Sequence, residues 1–363
     1  MNKRVVFIVS TLNAGGIENY LLRFLKHYDN KILPIVICRG NEFGELEESF
    51  KQITNIELVK VDMTNFAAKP YVDFYKFLKK GQIDSIVDFS GHFSGILMCI
   101  ARLAGISKRI VFYRESTYQF HVTFLKAIYI KLLKGLLQLS STKVLSNSIT
   151  ALDNFYPNRD RKSKRFKVIY NGIDFGGSLD KKLSRSDFGI PDNSFVIGHV
   201  GRFNFAKNHE TIIKVAEKLC KDHDNIYFIL CGKNTDTALK ERISQHHLLK
   251  DKVKLLGYRS DVNQVLGVLD LFFFPSITEG QPNSLIEAMI MGLPIVASNI
   301  TPIKETTPLI IHDYLLDPTD FVGFANQIEK YYLGELNMPK NLSEWAKNNF
   351  NAELLFKEFF NEL

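Results

Sequence analysis

Cysteine is scarce in this chain. Four occur in 363 residues, at Cys38, Cys99, Cys220 and Cys231, and no two form a CxxC pair. Each stands beside apolar residues, so buried thiols in a reducing compartment are expected and a disulfide framework or cysteine metal site is not. No stretch of eighteen or more uncharged apolar residues is present, which leaves no candidate spanning helix. The start, MNKRVVFIVSTLNAGG, has the outline of a signal peptide. Its apolar run is short and ends in a glycine turn instead of a cleavage site, so it reads as a first strand. Short repeats and low-complexity tracts are missing too.

What is there is ordinary in bulk: 45% hydrophobic and 23% charged residues. The length suggests two domains, each able to bury its own core. Charge is uneven. Residues 1–182 hold 28 Lys and Arg against 16 Asp and Glu, a balance of +12; the remainder holds 18 against 23, a balance of −5. A basic half points to an anionic surface as partner. Nucleic acid is not expected, because no binding motif accompanies the charge.

Strands and helices alternate along the first half. Val5–Ser10, Leu33–Cys38, Ile56–Val61, Ser85–Phe89, Arg109–Phe112, Lys143–Asn147 and Phe166–Tyr170 read as strands, with helices such as Ile17–His27, Tyr71–Lys79 and Ser94–Leu103 between them. The pattern restarts with strands at Phe195–Val200, Tyr227–Cys231, Val253–Leu256, Leu271–Phe274 and Ile295–Ser298 and helices at Asn208–Asp222, Asp236–His246, Asp261–Leu266 and Ser284–Met291. Such alternation predicts an α/β protein with two doubly wound parallel sheets. The Gly-, Ser- and charge-rich stretch Asn171–Asp192 reads as the linker. Glu344–Leu363 reads as one final helix with an aromatic stripe. Two such sheets face each other across a cleft, and ligands of open α/β sheets bind beyond the carboxyl ends of the strands.

The most informative segment runs from Leu269 to Val296, LDLFFFPSITEGQPNSLIEAMIMGLPIV. A buried strand feeds a glycine- and proline-marked loop, then a helix whose first turn is expected to carry Glu287. Seven residues separate Glu279 from Glu287. A strand end feeding a helix N-terminus suits an anionic, hydroxyl-rich ligand such as a nucleotide-linked sugar. Ser284-Leu-Ile-Glu287 is also a capping box, which would employ Glu287 on backbone N–H groups alone and leave Glu279 unexplained. A second loop, Gly201-Arg202-Phe-Asn-Phe-Ala-Lys207-Asn208, places a planar fork of donors and a point charge after a strand, a suitable pair for a diphosphate. The plainer alternative is solvated cations with Asn208 capping the next helix. A third loop holds Gly15 and Gly16 at a helix start, either a phosphate approach or a tight turn with Glu18 near the helix N-terminus. His92 and Arg114 follow two further strands and are candidate site residues, although a lone His is commonly a structural hydrogen-bonder.

GGIEN, YNGID, GRFNFAKN and EGQPNSLIEAMIMGLPIVAS stand in matching order, and over nearly its whole length the chain resembles a family 4 retaining glycosyltransferase of the GT-B fold. The resemblance implies two Rossmann-like domains: residues 1–173 binding the acceptor, 174–343 binding the nucleotide-sugar donor, and 344–363 a helix returning to the first domain. It implies that Arg202 and Lys207 neutralise the donor diphosphate, that Glu287 binds ribose hydroxyls, and that Glu279 lies near the transferred sugar. It further implies that Gly280, Gln281, Pro282, Asn283 and Ser284 form the loop and helix start against sugar and phosphate. Gly15 and Gly16 would close over the phosphates, and Gly232, Gly257 and Tyr258 would lie near the base. Many relatives have a His where this chain has Arg114, which cannot act as a base at neutral pH and can stabilise negative charge.

No Asp-x-Asp motif stands at a plausible site, so neither a metal nor another cofactor is expected. The resemblance implies retention, with the departing phosphate taking the acceptor proton. Phe120–Lys143 is strongly apolar with Lys126, Lys131 and Lys134 interspersed, and Arg159–Lys167 is a basic cluster. Together they suggest an interfacial helix on anionic lipid, with a buried helix and a solvated loop as the plain alternative. The expectation is a cytoplasmic enzyme, peripheral to the inner membrane, moving a sugar from a UDP-linked donor to a lipid-linked saccharide in bacterial surface polysaccharide assembly. A sugar-nucleotide epimerase and a non-catalytic nucleotide-sugar-binding protein are the alternatives.

Overall fold

The computed structural model describes residues 2–40, 43–63, 67–115, 123–174 and 183–363. The central part of the expected linker and the first three residues of the Phe120–Lys143 segment lie outside these. Contacts divide the chain into two units, Met1–Gly172 with Ala352–Leu363, and Ile173–Asn351. Each is a parallel-sheet α/β unit, as the alternation of strands and helices predicts.

In the first unit β1 (Lys3–Val9), β2 (Ile32–Cys38), β3 (Glu57–Lys60), β4 (Ser85–Asp88), β5 (Lys108–Tyr113), β6 (Lys143–Ser146) and β7 (Phe166–Val168) form one sheet in the order β3-β2-β1-β4-β5-β6-β7. All its pairs are parallel. Runs such as VVFIV in β1 are continuous because helices cover both faces, so no polar alternation is needed. The helix Gly16–His27 buries Tyr20, Leu21, Phe24 and Leu25 on the sheet.

The second unit holds β8 (Phe195–Val200), β9 (Ile226–Cys231), β10 (Val253–Gly257), β11 (Leu271–Phe274) and β12 (Ile295–Ala297), ordered β10-β9-β8-β11-β12 and again parallel throughout. In both sheets the strand order reverses beside the first strand, between β1 and β4 and between β8 and β11. Loops leaving those strands part there and open a crevice at the carboxyl ends.

Two helices differ from expectation. Glu344–Leu363 is not one helix but two, Leu342–Asn349 in the second unit and Ala352–Glu362 in the first. The break comes where Ile173 N–H donates to the Phe350 carbonyl at 2.8 Å. Gly172 has no Cβ where one would strike Ala352. Beyond the break, Phe359 meets Phe24 at 4.6 Å between ring centroids, which anchors the last helix in the first unit's core. Asp236–His246 is likewise two short helices, Thr235–Ala238 and Lys240–Gln245. Four helices among the described residues were not anticipated, Glu47–Lys51, Ile149–Phe155, Thr301–Glu305 and Phe321–Tyr332. Ile149–Phe155 is capped by the Ser148 hydroxyl and Phe321–Tyr332 by the Asp320 carboxylate. Cys38, Cys220 and Cys231 are buried and free, and burial raises each thiol's pKa, to about 11, 12 and 11.

Candidate functional site

The second unit builds its site at the β8/β11 switch point, and close backbone approach comes first. Gly201 N–H donates to the Cys231 carbonyl at 2.8 Å, and Gly232 N–H to the Gly257 carbonyl at 2.7 Å. A Cβ on Gly232 would collide with the Gly201 carbonyl, and one on Gly257, at φ +64°, would sit 2.8 Å from the Asp236 carboxylate. These glycines draw the carboxyl ends of β8, β9 and β10 together. Tyr258 follows directly and is 59% exposed.

After Gly201 the chain passes the exposed Arg202 and enters a 3-10 turn, Phe205–Lys207, capped by the Asn204 side chain on Lys207 N–H at 3.1 Å. The Lys207 stem packs over Gly201, where a Cβ would stand 2.9 Å from Cδ. Its ammonium lies 4.6 Å from the centroid of the Phe274 ring and 2.7 Å from Glu279 Oε1. Both side chains are largely covered, 16% and 10% exposed. A charge-assisted contact sheltered in this way is stronger than a solvated surface pair. Lys207 and Glu279, expected to serve different ends of a ligand, are thus direct partners.

Loop 278–282 runs from Glu279 through Gly280 to the buried Gln281 and Pro282. The helix after it spans Asn283–Ile290 with Pro282 at the cap position and no side-chain cap. This corrects two expectations. Ser284 is not a capping residue, because it lies inside the first turn and its hydroxyl donates to the Val200 carbonyl at 2.9 Å, tying the helix to the end of β8. Glu287 lies in the second turn, half-buried, so no capping box employs it. Asn208 is corrected as well. It occupies the cap position of helix His209–Asp222 with left-handed backbone, φ 56°, but its amide does not cap. It donates instead to the carbonyls of Pro275 at 3.0 Å and Pro318 at 2.8 Å.

Two histidines behind Lys207 were not singled out. His199 Nδ1 lies 3.0 Å from the Phe273 carbonyl, and the His209 ring stands 5.1 Å from that of His199. Burial, then the neighbouring His209 and Lys207, holds the His199 pKa well below its usual value. Burial and Lys207 lower that of His209 to about 4. Both are neutral at pH 7, so the positive charge beside them comes from Lys207.

In the first unit, Gly15 caps helix Gly16–His27, and Glu18 crowds the space beside it. Ala14 N–H is taken by Glu45 Oε2 at 3.2 Å, so protein carboxylates already face this helix start. A Cβ on Gly16 would meet nothing. His92 lies in the 3-10 turn Gly91–Ser94, buried against Phe93 at 4.2 Å, with its pKa lowered to about 4 by burial and by Lys134. Arg114 follows β5 and is 9% exposed. Its guanidinium lies 3.8 Å from the Tyr20 ring centroid and 5.0 Å from that of Phe112. Burial lowers its pKa to about 10, which leaves it charged at neutral pH. Among the described residues, no group of three His, Cys, Asp or Glu side chains is placed to hold a metal ion.

Residues 180–349 match the family model described as glycosyl transferases group 1. The chain is a glycosyltransferase. The enzyme is 28% identical over 308 residues to the capsular polysaccharide biosynthesis glycosyltransferase CapH of Staphylococcus aureus, covering 83% of both chains. It is 29% identical over 316 residues to the UDP-Gal:alpha-D-GlcNAc-diphosphoundecaprenol alpha-1,3-galactosyltransferase of Escherichia coli, covering 82% of this glycosyltransferase and 78% of that one. In fold it is similar to Anabaena HepE, solved in complex with UDP and glucose, at a TM-score of 0.78 and 21% identity over 99% of each chain. Arg202, Lys207, Gly232, Tyr258, Glu279, Gln281, Ser284 and Glu287 all fall inside the matched domain. Gly15, Gly16, His92 and Arg114 fall outside it, in the first unit.

Proposed function

We propose that this glycosyltransferase is a retaining, metal-independent enzyme of family 4 that moves a sugar from a UDP-linked donor to a lipid-linked saccharide acceptor in bacterial surface polysaccharide assembly. The observation that carries the reading is the Lys207–Glu279 contact at the switch point of the group 1 domain. An ammonium has three donors, and Glu279 occupies one. Lys207 can therefore meet a diphosphate without abandoning the carboxylate. As the bond from the anomeric carbon to the diphosphate oxygen breaks, negative charge grows on the leaving group. A fixed cation there stabilises the transition state more than the ground state. Arg202, exposed on the same loop, adds a second positive group. The acceptor oxygen bonds to the anomeric carbon on the leaving-group face, and its proton passes to the departing phosphate oxygen. Glu279 orients the transferred sugar and Glu287 the ribose.

The lipid-linked acceptor is supported by the Escherichia coli relative, whose name specifies a diphosphoundecaprenol substrate, and by the first unit's surface. Helix Phe124–Ser140 buries Ile130, Leu133 and Leu137. It exposes Leu125, Ile128, Tyr129, Leu132, Leu136 and Leu139, which recur at three- and four-residue spacing and so share one face. Arg165 reaches from the basic loop to Ser141 Oγ at 3.0 Å, so cluster and helix adjoin. An apolar stripe beside basic residues suits an anionic bilayer surface. Among the described residues no helix is long and apolar enough to cross a membrane.

The test measures UDP release from UDP-sugars with and without a lipid extract carrying acceptor. Release that requires the extract is expected. Sugar isomerisation without acceptor, or binding without turnover, would replace this reading.

A further inference from the structure

We propose that the side-chain amide of Asn208 is a positioning group that fixes Lys207 against Glu279. Its effect on turnover rests on the donor chemistry proposed above; its structural part does not. Three ties join segment 206–208 to segment 275–279. Asn208 Nδ2 donates to the Pro275 carbonyl at 3.0 Å, Ile277 N–H to the Ala206 carbonyl at 2.8 Å, and Lys207 Nζ to Glu279 Oε1 at 2.7 Å. The first two act at the root of both loops and the third at the tip. A single backbone tie would let the loops turn about it, whereas a second tie beside it sets their mutual orientation. The other bond from Asn208 Nδ2 reaches the Pro318 carbonyl at 2.8 Å, where Thr211 Oγ1 also donates at 3.2 Å. The amide thereby pins both loops to the segment that leads into helix Phe321–Tyr332.

The backbone explains why asparagine is suited here. Asn208 has φ 56° and ψ 47°, a left-handed conformation that lets the 3-10 turn end and the next helix begin at once. Glycine adopts that conformation freely and asparagine readily, but only asparagine brings a donor amide with it. Lys207 has a long flexible stem, so the place of its ammonium depends on where its own backbone is held. When a diphosphate and a sugar draw on the Lys207–Glu279 contact, the Asn208 amide and the Ile277–Ala206 backbone bond are left to keep the two groups in register.

Asn208→Gly keeps the backbone and removes the amide. Asn208→Asp keeps the size and turns carboxylate lone pairs toward two carbonyls. Thermal melts of Lys207→Met, Glu279→Gln and their double variant are taken in the parent and in Asn208→Gly, with Asn208→Asp as the background should the glycine variant fail to fold. Non-additive shifts in melting temperature are expected in the parent and additive shifts in the Asn208 variant. Equal non-additivity in both backgrounds overturns the proposal. In the transfer assay kcat is expected to fall about tenfold or more in both Asn208 variants, as displacement of a catalytic group does, with donor KM within about threefold. Full kcat in folded Asn208→Asp also overturns it. If the parent turns over no nucleotide-sugar, the proposed function has failed, and the melting cycle decides the positioning role alone.

Discussion

Lys207 Nζ and Glu279 Oε1 stand 2.7 Å apart across 72 positions of sequence. One comes from the loop after β8 and the other from the loop after β11, the two strands that flank the reversal of strand order. Removing either partner takes this ion pair from a largely covered charge, so the two variants should differ in a diagnostic way. Glu279→Gln is expected to lower transfer by roughly 100-fold or more, in line with loss of one well-placed transition-state contact. It should leave UDP affinity unchanged or tighter, because the ammonium loses its competing anion. Titration calorimetry with UDP, set beside initial rates, reads both.

Lys207→Met is expected to weaken UDP binding by about 1.5–3 kcal/mol, the size of a hydrogen bond to a charged group. The parent's affinity should fall more steeply with added salt than the variant's. Affinity measured at two ionic strengths checks both halves of the statement.

Much of this was legible in advance. The twelve strands among the described residues were readable, most of them as apolar runs because parallel strands covered on both faces need no polar alternation. The loops of the site were readable because glycines and cations punctuate strand ends. What sequence could not show were partners far along the chain. Ser284 looks like a cap until its hydroxyl is seen to reach the Val200 carbonyl, 84 residues away. Asn208 looks like a cap until its amide is seen on Pro275 and Pro318. The terminal helix breaks at Phe350 because of a bond from Ile173, which no local propensity encodes. His199 and His209 carry no local signal separating a buried neutral ring from a solvated one.

Those histidines set a pH dependence. His92 and His209 have folded pKa values of about 4, and that of His199 is well below its usual value. The unfolded chain, with ordinary histidines near pH 6.5, binds more protons below that point. Their contribution to stability is therefore complete above about pH 6.5 and is lost progressively as pH falls from there toward 4. Melting temperature should climb between pH 4.5 and 6.5 and change little from 7 to 8. His209→Phe should make the climb shallower.

Arg114 stacks on Tyr20 inside the first unit, and its buried charge makes the stacking a stability element. Arg114→Met is expected to destabilise by about 2 kcal/mol, the scale of a desolvated cation–π contact. Arg114→Lys should recover less than half of that, because an ammonium lacks the planar face. Chemical denaturation of the three proteins at pH 7 gives the comparison.

The face proposed to meet a bilayer separates its lysines. Lys134 lies partly buried, with its ammonium on the Phe155 carbonyl and 4.8 Å from the Tyr156 ring, and burial lowers its pKa. Its replacement should lower melting temperature. Lys126 and Lys131 are exposed, and their joint replacement by Gln should weaken sedimentation with anionic liposomes while leaving the melt unchanged. Leu125→Asp with Leu132→Asp should abolish it.

The most direct measurement is the shift in melting temperature of the parent and of Lys207→Met with a panel of nucleotide-sugars, since a ligand bound to the folded state raises apparent stability by mass action. Stabilisation of the parent by UDP-sugars and its loss in the variant are expected. A parent indifferent to every nucleotide-sugar, or a variant stabilised as fully as the parent, would contradict it.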